Sequence, residues 1–157
     1  DNLKKKIFFT IISNDYFDEY NKLIDKLKCE RNIKIINHLK FNQYLKIINE
    51  SDICMGLFGN TEKSQNIISN FIVTSANLGK VIITKNTKAA KIYLNNNNGI
   101  LLLKKPEHLN FSKFIRKYTS SAKFRNELQK KSKKSFLKNF EIQKNLKNLE
   151  LFFKEVL

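Results

Sequence analysis

Short apolar runs alternate with helical repeats along about the first hundred residues of the chain. Continuous runs of β-branched and aromatic residues are typical of strands covered on both faces. Apolar residues that recur every three to four positions indicate amphipathic helices instead. The first run, Lys6–Ser13, predicts a buried strand, and a helix capped by Asn14-Asp15 follows it with Tyr16, Tyr20, Leu23, Ile24 and Leu27 on one face. Further strands are predicted at Ile33–Ile36, Ile53–Phe58, Val81–Thr84 and Ile100–Leu103, and helices at Tyr44–Ser51, Gln65–Leu78 and Thr87–Leu94.

The last third of the chain predicts helices with no strand between them. Gly79 stands where the αL cap of the preceding helix belongs, and Pro106 suits a first helical turn.

Strands alternating with helices indicate βαβ units and a parallel sheet. We therefore predict an α/β fold: a Rossmann-like parallel sheet of about five strands flanked by helices, as a single domain over residues 1–157. Its βα units occupy 1–104, and its closing helices, within 105–157, are predicted at Pro106–Tyr118, Ser121–Phe140 and Glu141–Val156.

The chain is strongly basic, which bears on the partners it could bind. The 157 residues include 30 Lys+Arg and 14 Asp+Glu, a net charge of +16, of which ten units lie within Lys104–Leu157. A basic face attracts phosphates, anionic lipid or nucleic acid, although a general bias towards Lys, Asn, Ile and Phe explains part of the excess. The closing helices are amphipathic, which favours packing on the sheet or on a neighbouring domain over a membrane-surface role; their apolar residues are Phe124, Leu128, Phe136, Leu137, Phe140, Leu146, Leu149 and Phe153.

Several classes of protein do not fit the sequence. Two cysteines, Cys29 and Cys54, cannot make a disulfide scaffold, and no metal-ligand spacing joins them to His38 or His108. Cys54 lies in a buried strand and should be inert. The few cysteines favour a reducing, cytoplasmic location, and we see neither a secretory signal nor an apolar run of about 20 residues. Nucleic-acid binding would rest on charge alone, because RNA-recognition and zinc-finger motifs are absent.

One loop carries residues suited to chemistry. Ligands of open parallel sheets bind beyond the carboxyl ends of the strands, and residues 59–64 lie between a predicted strand and a predicted helix. Gly59 permits close backbone approach, Thr61 offers a hydroxyl, Lys63 offers an ammonium, and the helix adds its first amides. The loop therefore suits an anionic ligand such as a diphosphate. It matches neither a Walker A motif nor GxGxxG, and a simple turn is the alternative interpretation.

The same region resembles a known family. The run SDICMGLFGNTEK (residues 51–63), then NIISN (66–70) and LGKVIIT (78–84), is similar to the C-terminal, donor-binding half of GT-B glycosyltransferases of the group 1 type. Members of that family show a GiFG-teK loop, an IPNKvyEAla helix, a GkPVIT strand and an ENGiLv turn, the last matched by NNNGILL (96–102). The resemblance extends from about Ile7 to the end of the chain.

The resemblance implies roles for several residues. It places the loop residues Gly59, Asn60, Thr61 and Lys63 against the diphosphate of a nucleotide sugar, and Asn70 and Thr74 on the nucleoside side. It implies no metal and no cofactor besides that sugar donor, and it designates no catalytic residue here. The chain departs from the family pattern at several positions, where a basic, acidic or proline residue of the family is replaced by Asn66, Phe71, Thr74, Val81 or Ile92.

The resemblance also implies that much of the enzyme lies outside this sequence. A GT-B enzyme works in the cleft between two halves, and neither the acceptor-binding half nor the family's first strand has a counterpart here. We therefore expect a fragment, a split subunit or a decayed copy that is inactive as an isolated chain. Its partners would be a nucleotide sugar, an N-terminal half and, peripherally, the inner face of an anionic membrane. A non-catalytic Rossmann-like interaction module and a basic membrane-surface or nucleic-acid binder are the alternatives.

Overall fold

The computed structural model describes residues 7–13, 15, 17–28, 30–94, 99–103, 107–140 and 142–156, so the expectations for Lys6, Asn14, Tyr16, Asn95–Asn98 and Pro106 fall outside it. The strands are β1 (Phe9–Ile12), β2 (Ile33–Ile36), β3 (Ile53–Met55), β4 (Val81–Lys85) and β5 (Ile100–Leu103). The helices are α1 (Phe17–Leu27), α2 (Phe41–Glu50), α3 (Glu62–Asn66), α4 (Asn70–Asn77), α5 (Lys88–Tyr93), α6 (Glu107–Ser120), α7 (Ala122–Phe140) and α8 (Ile142–Val156), with a 3-10 turn at Glu30–Asn32.

The predicted α/β class, with parallel strands flanked by helices, is confirmed. The five strands of the described residues form two parallel sheets in place of one continuous sheet: β1 pairs with β2, and β4 lies between β3 and β5. The register of the second sheet places Ile53 beside Val81 and Ile82 beside Ile100. Because all three strands of this sheet are parallel, their carboxyl ends lie at the same edge, where the predicted ligand loop begins.

Residues 1–46 form one compact unit. Its β1–α1–β2 segment is a βαβ unit in which Phe9 is in register with Ile33. The prediction that the first strand is covered on both faces is wrong, since the side chains of Phe8 and Phe9 are 71% and 38% exposed. A unit this small buries little apolar surface, and among its described residues Ile24 of α1 is the buried hydrophobic side chain.

Residues 47–157 form the second unit, and its core is built around β4. Val81, Ile82 and Ile83 are fully buried because β4 has a strand on either side and helices against it. Ile72 of α4 is also fully buried. Gly79 ends the turn after α4 with a φ of 71°, so the predicted left-handed cap is confirmed.

Helices α6 and α7 are bound to the sheet by specific contacts. The Tyr118 hydroxyl donates to the carbonyl oxygen of Asp52 at 3.0 Å, and the Ser132 hydroxyl donates to that of Lys80 at 2.6 Å. Gly99, with a φ of 76°, lies so close to α7 that a Cβ atom there would stand 2.5 Å from the Ser132 nitrogen. The predicted packing of closing helices on the sheet is therefore confirmed for α6 and α7.

Helix α8 differs from the other two closing helices. Its apolar residues Leu146, Leu149 and Phe153 are 58%, 49% and 49% exposed, so the predicted packing is not found within the described part of the chain. The same stretches of chain contain no helix with both the length and the apolar character to cross a bilayer.

Candidate functional site

The predicted loop begins at the carboxyl end of β3 and is fixed by the neighbouring strand. The Thr84 side chain of β4, 1% exposed, forms two hydrogen bonds with Leu57: it accepts from the Leu57 amide and donates to the Leu57 carbonyl, each at 3.0 Å. The Gly56 amide donates to Ile83 O at 2.7 Å, and the Lys85 amide donates to Leu57 O at 3.0 Å. Residues 56 and 57 thus remain bonded to β4 beyond the last residue of β3.

Gly56 is required by this close approach. A Cβ atom at this position would lie 2.6 Å from both Cβ and Oγ1 of Thr84 and 3.0 Å from the Cδ1 of Ile72. Real Cβ atoms do not come this near to buried neighbours, so only glycine allows the chain to leave the sheet against β4. The buried Thr84 hydroxyl therefore fixes the start of the loop, and Gly56, which has no side chain, leaves room for Thr84 beside it.

Thr61, one of the predicted contact residues, caps α3. Its hydroxyl oxygen accepts from the Ser64 amide at 3.2 Å, and the Ser64 hydroxyl donates to the Thr61 carbonyl at 2.8 Å. Gly59 packs against the same serine, since a Cβ there would lie 3.2 Å from the Ser64 Oγ. The cap uses one lone pair of the Thr61 hydroxyl oxygen, and the hydroxyl hydrogen of this exposed residue can still be donated.

The structure brings Asn60 to a lysine that sequence reasoning missed. The Lys85 ammonium, at the carboxyl end of β4, donates to the Asn60 side-chain oxygen. Lys63, the cation predicted from the sequence, is exposed on α3. The sequence did contain a signal for Lys85. It directly follows the predicted strand Val81–Thr84, and a residue at the carboxyl end of a parallel strand lies at the edge of the sheet where ligands bind.

Asn70 and Thr74 lie on a different helix from the loop residues. The predicted single helix Gln65–Leu78 is wrong: α3 ends at Asn66, Ile67 is extended with φ −119° and ψ 155°, and α4 begins at Asn70. The break forms because Ser69 caps α4, its hydroxyl accepting from the Ile72 amide at 3.4 Å. Asn70 and Thr74 are four residues apart and so share one face of α4.

Cysteine, histidine and metal-binding chemistry were not expected from the sequence, and the described residues include Cys54 and His38. Cys54 is buried and free, and desolvation raises the pKa of its thiol above the usual 9.0, although the Ser75 hydroxyl and the charge of Lys80 oppose the shift. It is therefore a protonated, unreactive thiol at neutral pH. His38 is exposed with a φ of 48°. No group of three or more His, Cys, Asp or Glu side chains capable of holding a metal ion is found in the described ranges.

A cavity lies at the opposite edge of the second sheet. It has a volume of about 190 Å³, adjoins the amino end of β5, and is lined mainly by apolar side chains of α6 and α7. Its lining residues are Gly99, Ile100, Leu101, Phe114, Phe124, Leu128 and Lys131. Since the predicted loop leaves the carboxyl ends of the strands, this cavity is not part of the candidate site.

Solved glycosyltransferase structures share this fold. HepE of Anabaena in complex with UDP matches with a TM-score of 0.76 at 12% identity, over 98% of this chain and 43% of its own. A glycosyltransferase of Rickettsia africae matches with a TM-score of 0.75 at 15% identity, over 98% of this chain and 42% of its own. Sucrose-phosphate synthase of Thermosynechococcus elongatus matches with a TM-score of 0.74 at 8% identity, over 94% of this chain and 38% of its own. This chain spans about two fifths of the length of these proteins.

The fold of this chain is that of one half of a GT-B glycosyltransferase, as the sequence predicted. No protein-family model matches the sequence. No curated protein matches it either. At identities of 8–15% the structural likeness defines the fold.

Proposed function

We propose that this chain is the donor-binding half of a glycosyltransferase that uses a nucleotide sugar. The observation that carries the proposal is the match over 98% of the chain to HepE, a protein solved with UDP. The loop at the carboxyl end of β3 supports it, because that edge of a parallel α/β sheet is where nucleotides commonly bind.

The proposed ligand contacts follow from the loop. Gly59 and Asn60 would approach the diphosphate, the Thr61 hydroxyl would donate to it, and the Lys63 ammonium would lie near its negative charge. Asn70 and Thr74, on one face of α4, are proposed for the nucleoside. Cationic and hydrogen-bonding groups of this kind stabilise a leaving diphosphate electrostatically, which suits transfer without a bound metal.

The proposal requires a second half to complete the reaction. The chain corresponds to about two fifths of the matching proteins, and an acceptor site would be supplied by a segment or chain outside this sequence. A glycan or lipid-linked molecule is the proposed acceptor class. The net charge of +16 is compatible with peripheral contact at an anionic membrane from the cytoplasmic side.

A second candidate function is a Rossmann-like interaction module without catalysis. It is favoured by the residues on α4, where the half-buried Phe71 and Thr74 replace the basic and acidic residues of the family pattern. A threonine hydroxyl cannot accept hydrogen bonds from two ribose hydroxyls as strongly as a carboxylate can. In that case the fold would persist after the donor site had lost its affinity.

Thermal denaturation with a panel of UDP-, GDP- and ADP-sugars tests the main proposal. Ligand that binds only the folded state raises the melting temperature by mass action, so at least one member should raise it at millimolar concentration. Uridine and glucose serve as fragments for comparison. A folded chain whose melting temperature is unmoved by every nucleotide and nucleotide sugar would contradict donor binding and favour the interaction module.

A further inference from the structure

Two aromatic side chains form a wall of the cavity at the amino end of β5. Phe114 of α6 and Phe124 of α7 pack edge to face, with their ring centroids 6.0 Å apart. Both are half-buried and pack against the core cluster that contains Leu128. The cavity of about 190 Å³ lies beside the two rings, so part of their apolar surface is open to a molecule that enters it.

The floor of the cavity is formed by rigid parts of the second unit. Ile100 and Leu128, which also line it, are only 3% and 8% exposed. Gly99 lies directly against α7, where any Cβ atom would collide with the Leu128 carbonyl oxygen. The start of β5 and the middle of α7 therefore hold each other in place, and the cavity exists before a ligand binds. A preformed site lowers the entropic cost of binding.

The size and lining of the cavity suit a small apolar group. Protein interiors contain few voids larger than a water molecule. An apolar cavity of about 150 Å³ lined by Leu, Ile and Phe is large enough to bind benzene, and this cavity of about 190 Å³ has the same types of residue in its wall. An apolar group the size of one aromatic ring would fit, and it would pack on Phe114 and Phe124 as aromatic rings do.

Positive charge surrounds the mouth of this cavity. Among the described residues that line it, Lys131 is the charged one, and it is exposed. A lysine can lay its methylene groups along an apolar wall while its ammonium stays in water. The Lys117 ammonium lies 4.4 Å from the centroid of the Phe124 ring. Residues 107–140 contain ten Lys+Arg and two Glu, so an anionic group is favoured at the mouth.

We propose that this cavity binds a small amphiphilic anion. The apolar body of the ligand, about the size of one aromatic ring, packs on Phe114 and Phe124, and its carboxylate pairs with the Lys131 ammonium. The site is separate from the proposed donor site, because it lies at the opposite edge of the second sheet from the loop that follows β3. The two proposals therefore stand or fall independently.

The test is an NMR titration of the full chain that follows its backbone amides. The probes are phenylpropionate, its neutral analogue phenylpropanol, and acetate, which has the carboxylate without the ring. Lys131→Met removes the charge and keeps an apolar stem, and Lys130→Met, at the neighbouring exposed lysine of α7, is the matched control. Leu101→Phe adds volume to the lining of the cavity. Thermal denaturation verifies that each variant is folded.

Phenylpropionate should bind wild type more tightly than phenylpropanol or acetate, and the largest shifts should fall on the amides of Ile100, Leu101 and Leu128. Lys131→Met should weaken phenylpropionate about three- to fivefold, as loss of one exposed ion pair allows, and should leave phenylpropanol unchanged. Lys130→Met should change neither by more than about twofold. Leu101→Phe should weaken both ring-containing probes about tenfold, because it occupies their space.

Several results would overturn the proposal. Wild-type protein that does not bind phenylpropionate at tens of millimolar has no such site. Equal affinity for phenylpropionate and phenylpropanol, or equal losses in Lys131→Met and Lys130→Met, would exclude a specific carboxylate contact with Lys131. Unchanged binding in folded Leu101→Phe would place the ligand elsewhere. If Leu101→Phe does not fold, the location of the shifted amides and the Lys131→Met comparison still decide the question.

Discussion

The Thr84 hydroxyl bonds both the amide and the carbonyl of Leu57, at 3.0 Å each. One buried side chain on β4 therefore forms hydrogen bonds with both main-chain polar groups of Leu57, in the loop that follows β3. The Lys85 amide shares the Leu57 carbonyl, so that oxygen has two donors while the Leu57 amide relies on Thr84.

Thr84→Val should consequently leave the Leu57 amide without its partner in a buried setting. An unsatisfied buried donor costs about 1–3 kcal/mol, and we expect the free energy of unfolding to fall by that amount in urea titrations. Thr84→Ser, which keeps the hydroxyl, is the matched control. Equal stability of the valine and serine variants would show that the two hydrogen bonds contribute nothing to the fold.

Gly56→Ala should also destabilise the chain. The new methyl group would meet Thr84 atoms at 2.6 Å, and overpacking of this kind costs about 1–3 kcal/mol. Gly59→Ala provides the comparison, because its Cβ would stand 3.2 Å from a serine hydroxyl; we expect a change below about 1 kcal/mol. Chemical denaturation of both variants measures the difference, and similar losses in the two would refute the steric explanation.

Alkaline pH should reduce stability through Cys54. Burial raises the pKa of its thiol in the folded state above the ordinary 9.0. Below pH 9.0 the thiol is protonated in both the folded and the unfolded state, so its effect on the free energy of unfolding does not change with pH. As the pH rises above 9.0, the thiol ionises first in the unfolded state, and the free energy of unfolding falls. The decrease in unfolding free energy between pH 7.5 and pH 10 should be smaller in Cys54→Ala than in wild type. An identical decrease would mean that the folded thiol titrates normally.

Two residues of α4 provide a test of the proposed donor site. The double variant Phe71→Lys, Thr74→Glu restores the charges of the family pattern on this helix. If the fold has kept the rest of a donor site, nucleotide affinity should rise about tenfold, as one added charge-assisted hydrogen bond allows. Calorimetric titration with UDP, GDP and ADP measures it, and Phe71→Ala with Thr74→Ala controls for loss of the native side chains. Unchanged affinity would favour the interaction module.

The sequence predicts elements well where one local signal dominates. The bounds of β2 and β5 agree with the predicted strands Ile33–Ile36 and Ile100–Leu103, because a polar residue, Asn37 or Lys104, directly follows each of them in the sequence. The break between α3 and α4 was missed for the opposite reason. Apolar residues continue in helical spacing across Ile67 and Ile68, and only the cap formed by Ser69 interrupts them.

The candidate site was predictable in part. The loop residues and their position at the end of β3 follow from strand–helix alternation. The contact between Lys85 and Asn60 joins positions 25 residues apart, and such a pair depends on the register of β3 against β4, which local patterns do not contain. The exposure of Phe9 was missed because apolarity alone does not reveal how much structure covers a strand.

The seating of Gly99 against α7 has a consequence for how the second unit unfolds. The start of β5 meets Ser132 of α7, and Ser132 in turn bonds the residue preceding β4. Loss of α7 would remove a contact from the segment before each of these two strands, although α7 follows both of them in the chain. We therefore expect α7 to unfold in the same cooperative transition as the second sheet, and the slowest-exchanging amides of β4 and α7 should share one opening free energy in native-state hydrogen exchange.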